Sequence, residues 1–391
     1  MTVSESKLWE PLQLGAIKLS HRVAMAPLTR YRNDDNNVPL EMMTKYYADR
    51  ACVPGTLIIT EATGVSPTAE GEQNLPGVGT AAQMAEWKKI YAAIHANKGF
   101  VFQQLWDLGR GSEPDWQKKN GFKYYSSGNI KVKGQDVAPE AMTEEDILQR
   151  IADFRQAARN VIDAGGDGVE VHGAHGYLVD QFTRDSCNNR TDRWGGSVEN
   201  RNRFLLEIVK AVSEEIGADR VGLRLSPFGT YQDCYSDSTD TWEQTGAVLK
   251  SLKEGGFKLA YVSWVEPRFD PSLYGKTPPP GHPNPFGDRK QSILTFLEQW
   301  QNYTPFIVAG GYTADNAAEA LDEKYKGYDV GIAFGRYYVA NPDLVFRVKN
   351  KVPFTPYNRP TFFIPKSVEG YNDYPFSKEA LEAGVVPYGS E

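Results

Sequence analysis

Eight short β-rich runs, each followed by a polar loop and most by a longer helical pattern, constrain this chain more than any other feature. They are "RVAMAPL" (22–28), "GTLIITEAT" (55–63), "FVFQQLW" (100–106), "GVEVHGA" (168–174), "RVGLRLS" (220–226), "LAYVSWV" (259–265), "PFIVAGG" (305–311) and "VGIAFGR" (330–336). Strands alternating with helices specify an all-parallel sheet, because parallel neighbours need a crossover that a helix supplies. Eight is also the number at which such a sheet closes. An open doubly wound sheet would carry a GxGxxG turn after its first strand, and none follows "RVAMAPL". The expected fold is therefore α/β, a (β/α)₈ TIM barrel over residues 1–391 as one domain; barrels often reach that length as a single unit. The helix after the third strand opens with a capping box, Thr143 three residues before Asp146. Two stretches break the repeat. Residues 107–141 read as an inserted hairpin after strand 3, and residues 266–289 as a long Pro/Gly-rich loop after strand 6. Both fall at the C-terminal face, where barrel loops build active sites.

Composition narrows the partners. A net charge of −7 with no basic stripe argues against nucleic acid or an anionic membrane. Cys52, Cys187 and Cys234 are odd in number and widely spaced, which offers no disulfide framework and suits a reducing compartment. No apolar run reaches the ~18 residues of a membrane span, and "MTVSESKLWEPLQLG" has no signal-like apolar core. The expectation is a cytoplasmic protein acting on small molecules, a monomer or homodimer.

Chemistry concentrates where strands should be apolar. In "GVEVHGAHGYLVDQF", His172 and His175 stand three residues apart with Tyr177 beside them. The pair reads as a polar clamp for a ligand. Metal ligation would need a third ligand, and His21, His95 and His282 lie in unrelated segments; two packed core histidines are the remaining alternative. Arg224 sits between Leu223 and Leu225 in strand 5. A buried guanidinium needs either a structural carboxylate or a bound group that becomes anionic. Gln103 and Gln104 are adjacent, so one of them faces the barrel interior. An inward amide suits a heterocycle with paired N–H and C=O groups. The last two strands end in Gly310–Gly311 and Gly335–Arg336, the place where barrels commonly bind phosphate. Phosphate at one side and a polar heterocycle near the axis describe a mononucleotide such as FMN, and equally a sugar phosphate.

These motifs resemble the Old Yellow Enzyme family of FMN-dependent NADPH ene reductases. The likeness runs in order through "AMAPLTR", "TEATGVSP", "QLWDLGR", "VEVHGAHGYLVDQF", "NRTDRWGGSVENRNRF", "GLRLSPFG", "AGG" and "FGRYYVANPDL". It is closer to the branch of fungal Old Yellow Enzymes and plant oxophytodienoate reductases than to the branch with cysteine where Thr29 stands. The resemblance implies reduction, with NADPH, of a C=C bond conjugated to a carbonyl or nitro group. It implies that Pro27, Thr29, Ala62, Gln104 and Arg224 hold the flavin ring. Gly310, Gly311, Gly335 and Arg336 would hold its phosphate, with Phe362 beside the dimethylbenzene edge. His172 and His175 would bind the substrate oxygen, and Tyr177 would donate the proton. Trp106, Tyr231, Phe269 and Tyr274 would line the substrate space. Relatives often carry Asn at position 175, Gly at 62 and Tyr at 363, so this chain's His175, Ala62 and Phe363 bear on substrate preference. Two other readings compete: an aldolase or isomerase using Glu170 as base at the same phosphate corner, and a flavin-binding protein without turnover.

Overall fold

The computed structural model describes residues 6–236, 241–266 and 292–390. All eight expected strands form: β1 (Val23–Met25), β2 (Leu57–Ile59), β3 (Phe100–Trp106), β4 (Gly168–Gly173), β5 (Val221–Leu225), β6 (Tyr261–Val265), β7 (Phe306–Ala309) and β8 (Val330–Phe334). Each pairs in parallel with the next. The ring closes where β8 pairs with β1, Ile332 opposite Val23 and Phe334 opposite Met25. The result is an eight-stranded parallel barrel surrounded by helices.

The strands are buried on both sides, and alternation sorts their residues. Val169, Val171, Leu223 and Leu225 face outward into a core shared with Phe204, Ile208 and Val212 of the helix Val198–Ile216. Glu170, His172 and Arg224 occupy the positions between them, on the inner face. The helix Glu144–Asp163 begins with the expected capping box: Thr143 Oγ1 accepts the Asp146 N–H at 3.1 Å, and Asp146 returns the contact to the Thr143 N–H at 2.9 Å.

An element that the strand–helix repeat does not announce closes the floor. Leu12–Leu14 and Ile17–Leu19 form an antiparallel hairpin. Its Leu12, Leu14, Ile17 and Leu19 join one apolar cluster with Ala24, Leu57, Ile59, Phe102 and Ile307 of the barrel. Four such buried side chains contribute roughly 1.5–3 kcal/mol each. Gly15 makes the turn possible: its φ is +51° and a Cβ there would lie 1.9 Å from the Asp219 carbonyl oxygen.

The excursion after β3 is present, but it is not the expected hairpin. It carries a short helix, Pro114–Lys119, and two two-residue strands, Tyr125–Ser126 and Glu140–Ala141, which pair in parallel. The connection between those strands spans residues 127–139, long enough to return the chain for parallel pairing. Of the long segment after β6, Glu266 is described; residues 267–291, with the expected substrate contacts Phe269 and Tyr274, lie outside the described residues.

Candidate active site

The barrel's C-terminal end opens into a cavity of ≈ 880 Å³. Its floor is built by strand ends. Pro27 and Thr29 follow β1, Ala62 follows β2, and Gln104, His172 and Arg224 come from β3, β4 and β5; all six line the cavity. The two adjacent glutamines divide as alternation demands. Gln103 turns outward, bonded to Tyr91 and Thr63. Gln104 turns inward, opposite Glu170 in register, and donates its amide N–H to Glu170 Oε1 at 2.6 Å.

Arg224 is opposite His172 on one side and Ser263 on the other, and donates to Ser263 Oγ at 3.1 Å. Its Nε is buried with no partner. The carboxyl of Glu170 is fully buried and pushed up by that burial; the Arg224 charge and the Gln104 donation oppose the shift. Glu170 is therefore the structural carboxylate that a buried arginine needs. It accepts from Gln104 and does not itself line the cavity, and among the described residues no lysine does. The aldolase reading loses its chemistry on both counts.

The histidines stand above this floor. His172 Nδ1 accepts the backbone N–H of Ala174 at 3.3 Å. That contact fixes the tautomer, leaving the proton on Nε2 as a donor. His175 has a left-handed backbone, φ 56°, held by the donation of its own N–H to Ser226 Oγ at 2.8 Å. Its Nε2 is buried without a partner. The two rings meet edge-on with centroids 5.7 Å apart. Burial keeps both imidazoles neutral: with the charges of His175 and Arg224 it holds His172 well below its ordinary value, and with Arg224 it pushes His175 down to about 3.

Tyr177 N-caps the short helix Leu178–Thr183, behind Gly176, whose N–H is taken by Asp180. Its ring lies 5.2 Å from His172, 4.6 Å from Trp106 and 6.4 Å from Tyr231. Burial raises the phenol above its ordinary value, so it stays protonated at neutral pH. Trp106, Tyr231 and Phe362 also line the cavity. Among the described residues no group of three His, Cys, Asp or Glu could hold a metal. Cys187 and Cys234 are buried away from the cavity lining.

The expected phosphate corner stands apart. Gly310 and Gly311 end β7 with φ of +138° and +89°. Gly335 and Arg336 follow β8, where Arg336 donates to the Tyr357 hydroxyl at 2.9 Å. None of the four lines the cavity that holds the other residues. Conversely, the cavity has walls that the motifs left out. Tyr31 and Glu72 come from the loops after β1 and β2, Val132 and Gln135 from the excursion, and Gln232 and Phe363 from later loops. Arg110 fixes the outer rim by donating to the carbonyls of Ile130 (2.9 Å), Gln232 (2.8 Å) and Asp233 (3.2 Å). Placement at the C-terminal ends of strands was the one available signal for Tyr31 and Glu72.

The profile described as "NADH:flavin oxidoreductase / NADH oxidase family" matches residues 7–354. The chain belongs to that family. It is an NAD(P)H-dependent flavin oxidoreductase with the Old Yellow Enzyme barrel. The solved Old Yellow Enzyme of a Pichia species superposes with a TM-score of 0.85 at 33% identity, over 100% of this chain and 95% of that one. The NADP-dependent oxidoreductase lnbE of Aspergillus flavus is 46% identical, over 96% of this chain and 98% of its own. The chanoclavine-I aldehyde reductase fgaOx3 of Penicillium roqueforti is 45% identical, over 97% of this chain and 100% of its own. The cavity floor fits a flavin on its own terms. An inward amide at Gln104 and a buried cation at Arg224 with an unmet N–H suit a ring edge of alternating N–H and C=O groups that gains negative charge on reduction. Among the described residues no helix is long and apolar enough to cross a membrane.

Proposed function

We propose that this family member is an FMN-dependent ene reductase, reducing with NADPH a C=C bond conjugated to a carbonyl or nitro group, and that the whole chain serves as one FMN-binding barrel domain in the cytoplasm. The observation that carries the reading is the meeting, in one cavity, of two neutral imidazole donors with a protonated phenol beside them, directly above the Gln104–Arg224 floor. Thr29, Pro27, Ala62, Gln104 and Arg224 would hold the flavin ring, with Phe362 beside it, and Gly310, Gly311, Gly335 and Arg336 would hold the phosphate. Bound there, FMN supplies hydride transfer between the nicotinamide and the alkene.

The protein's part is charge and proton management. His172 Nε2 and the His175 ring donate to the substrate oxygen, which gains negative charge as the alkene is reduced. Neutral, preorganised donors favour that charge over the uncharged substrate. Tyr177 then gives its proton to the carbon next to the carbonyl, as a general acid that needs no tuning to be protonated. Arg224, a fixed cation, would stabilise the negative charge that a flavin held there gains on reduction.

Anaerobic stopped-flow at the flavin band tests the reading. NADPH should bleach the band and cyclohexenone should restore it. In Tyr177→Phe the bleaching should persist at its wild-type rate while the restoration slows by about 10²–10⁴. If the enone restores no colour in the wild type and only oxygen does, the alkene assignment is wrong.

A further inference from the structure

The cavity contains a second recognition surface, opposite in character to the histidine clamp. Tyr31 donates its hydroxyl to Glu72 Oε2 at 2.8 Å, which orients a half-buried carboxylate along the cavity wall. Aromatic rings line the same cavity. The Tyr31 ring meets Phe363 at 5.9 Å, and Tyr31 and Tyr177 pack together on Trp106 and Leu108. The Glu72 charge is felt at Tyr177 as well as at Tyr31. Trp106 is 3% exposed, and its indole N–H has no partner in the protein. Burial and the neighbouring Glu113 push the Glu72 carboxyl up, with the Tyr31 donation opposing them; a cation brought to the same carboxylate opposes them further.

Among the described residues, no lining cation is left to neutralise this wall from within. Arg30 is committed to the carbonyls of Phe362 and Gly370 and to Tyr46. Arg110 is committed to three carbonyls on the rim, and Arg224 lies at the floor with Glu170 and Ser263. A carboxylate set among aromatic faces is the combination that recognises an organic ammonium group, through charge and through cation–π attraction.

We infer that the substrate is an enal or enone carrying a protonated amine, which sits against Glu72 and the Tyr31–Trp106–Tyr177 wall while the carbonyl reaches His172 and His175. This rests on the ene-reductase reading and adds the substrate class to it. Glu72 acts here as a specificity residue, with Tyr31 positioning it.

The FMN-loaded enzyme, reduced anaerobically, is offered cinnamaldehydes that differ only in the para group: dimethylaminomethyl (cationic), isopropyl (neutral) and carboxylate (anionic). The cationic aldehyde should exceed the neutral one in kcat/KM by about tenfold, and the anionic one should fall below both. Glu72→Gln should bring the cationic-to-neutral ratio to about one, and Glu72→Asp should retain the order. Equal rates in the wild type, or an order that survives Glu72→Gln, would overturn the inference. Titrating the oxidised flavin band with N,N-dimethylbenzylamine against isopropylbenzene decides the same point without turnover: tighter binding of the amine, lost in Glu72→Gln, supports it, and equal binding overturns it. If the neutral aldehyde also fails to restore the flavin colour while the amine still binds preferentially, the ene-reductase reading fails and the ammonium subsite stands.

Discussion

Two histidines at opposite ends of the barrel make the same local contact and meet different surroundings. His21, just before β1, accepts the Val23 N–H on Nδ1 at 3.2 Å; His172, near the end of β4, accepts the Ala174 N–H on Nδ1 at 3.3 Å. Each ring is buried, each is held below its ordinary pKa, and each backbone contact reaches two residues along the chain. They part at Nε2. That of His21 meets Thr56 Oγ1 at 3.1 Å, which completes a core histidine. The His172 ring bonds within the described residues through Nδ1 and faces the cavity, and Nε2 of His175 is buried without a partner. Residue type and burial are alike at the two ends; the difference lies in whether the second ring nitrogen is met by the protein or faces the cavity, where the proposed function gives it work.

The largest effect expected from this contrast is a double dissociation. His172→Ala should slow alkene reduction by about 10²–10³, the usual result of losing one oxyanion donor, measured as the rate at which cyclohexenone restores the bleached flavin. His21→Ala should leave that rate alone and lower the thermal midpoint. If His172→Ala destabilises as His21→Ala does and slows nothing, the two ends are not different in kind.

A pH experiment sharpens the comparison. Burial holds His21 at about 4 and His175 at about 3, against about 6.5 for an exposed imidazole. The unfolded chain therefore binds protons below about pH 6.5 that the folded chain refuses. The histidines' share of stability is complete above that value and is lost as pH falls toward 4 and then 3. Thermal midpoints should drop over that interval, less steeply in His21→Leu. Alkene reduction by the same enzyme should show no imidazole limb between about pH 6 and 8. A limb near 6.5 would mean that the clamp works as imidazolium. The smallest expected effect is Thr56→Val, which strands the His21 N–H and should cost about 1 kcal/mol by denaturant titration, with turnover unmoved.

Much of this was legible before any coordinates, for a physical reason. A barrel wall wants apolar residues, so Gln104, Arg224 and the histidine pair declared themselves by not belonging, and the strand ends that carry them give their place. His21 carried the opposite cue, standing at the N-terminal side of its strand. The hairpin was also written in the sequence, as the alternation of Leu12, Leu14, Ile17 and Leu19 around Gly15, but a pattern of eight larger repeats masks two three-residue strands. The Tyr31–Glu72 pair had no local signature: its partners lie 41 residues apart in two loops, and only closure of the barrel makes them neighbours. The excursion's strands are two residues each, too short for alternation to reveal their direction.

The hairpin floor has a consequence for traffic. With Leu12, Leu14, Ile17 and Leu19 filling one end, the barrel of the described residues is a cup whose cavity opens at the other, and what reaches that cavity enters by its C-terminal mouth. On the ene-reductase reading proposed above, reductant and alkene would then take turns, each vacating the cup before the other is received. Whichever is in excess occupies the doorway, so the enzyme's throughput is governed by the balance between its two visitors as much as by the speed of either reaction.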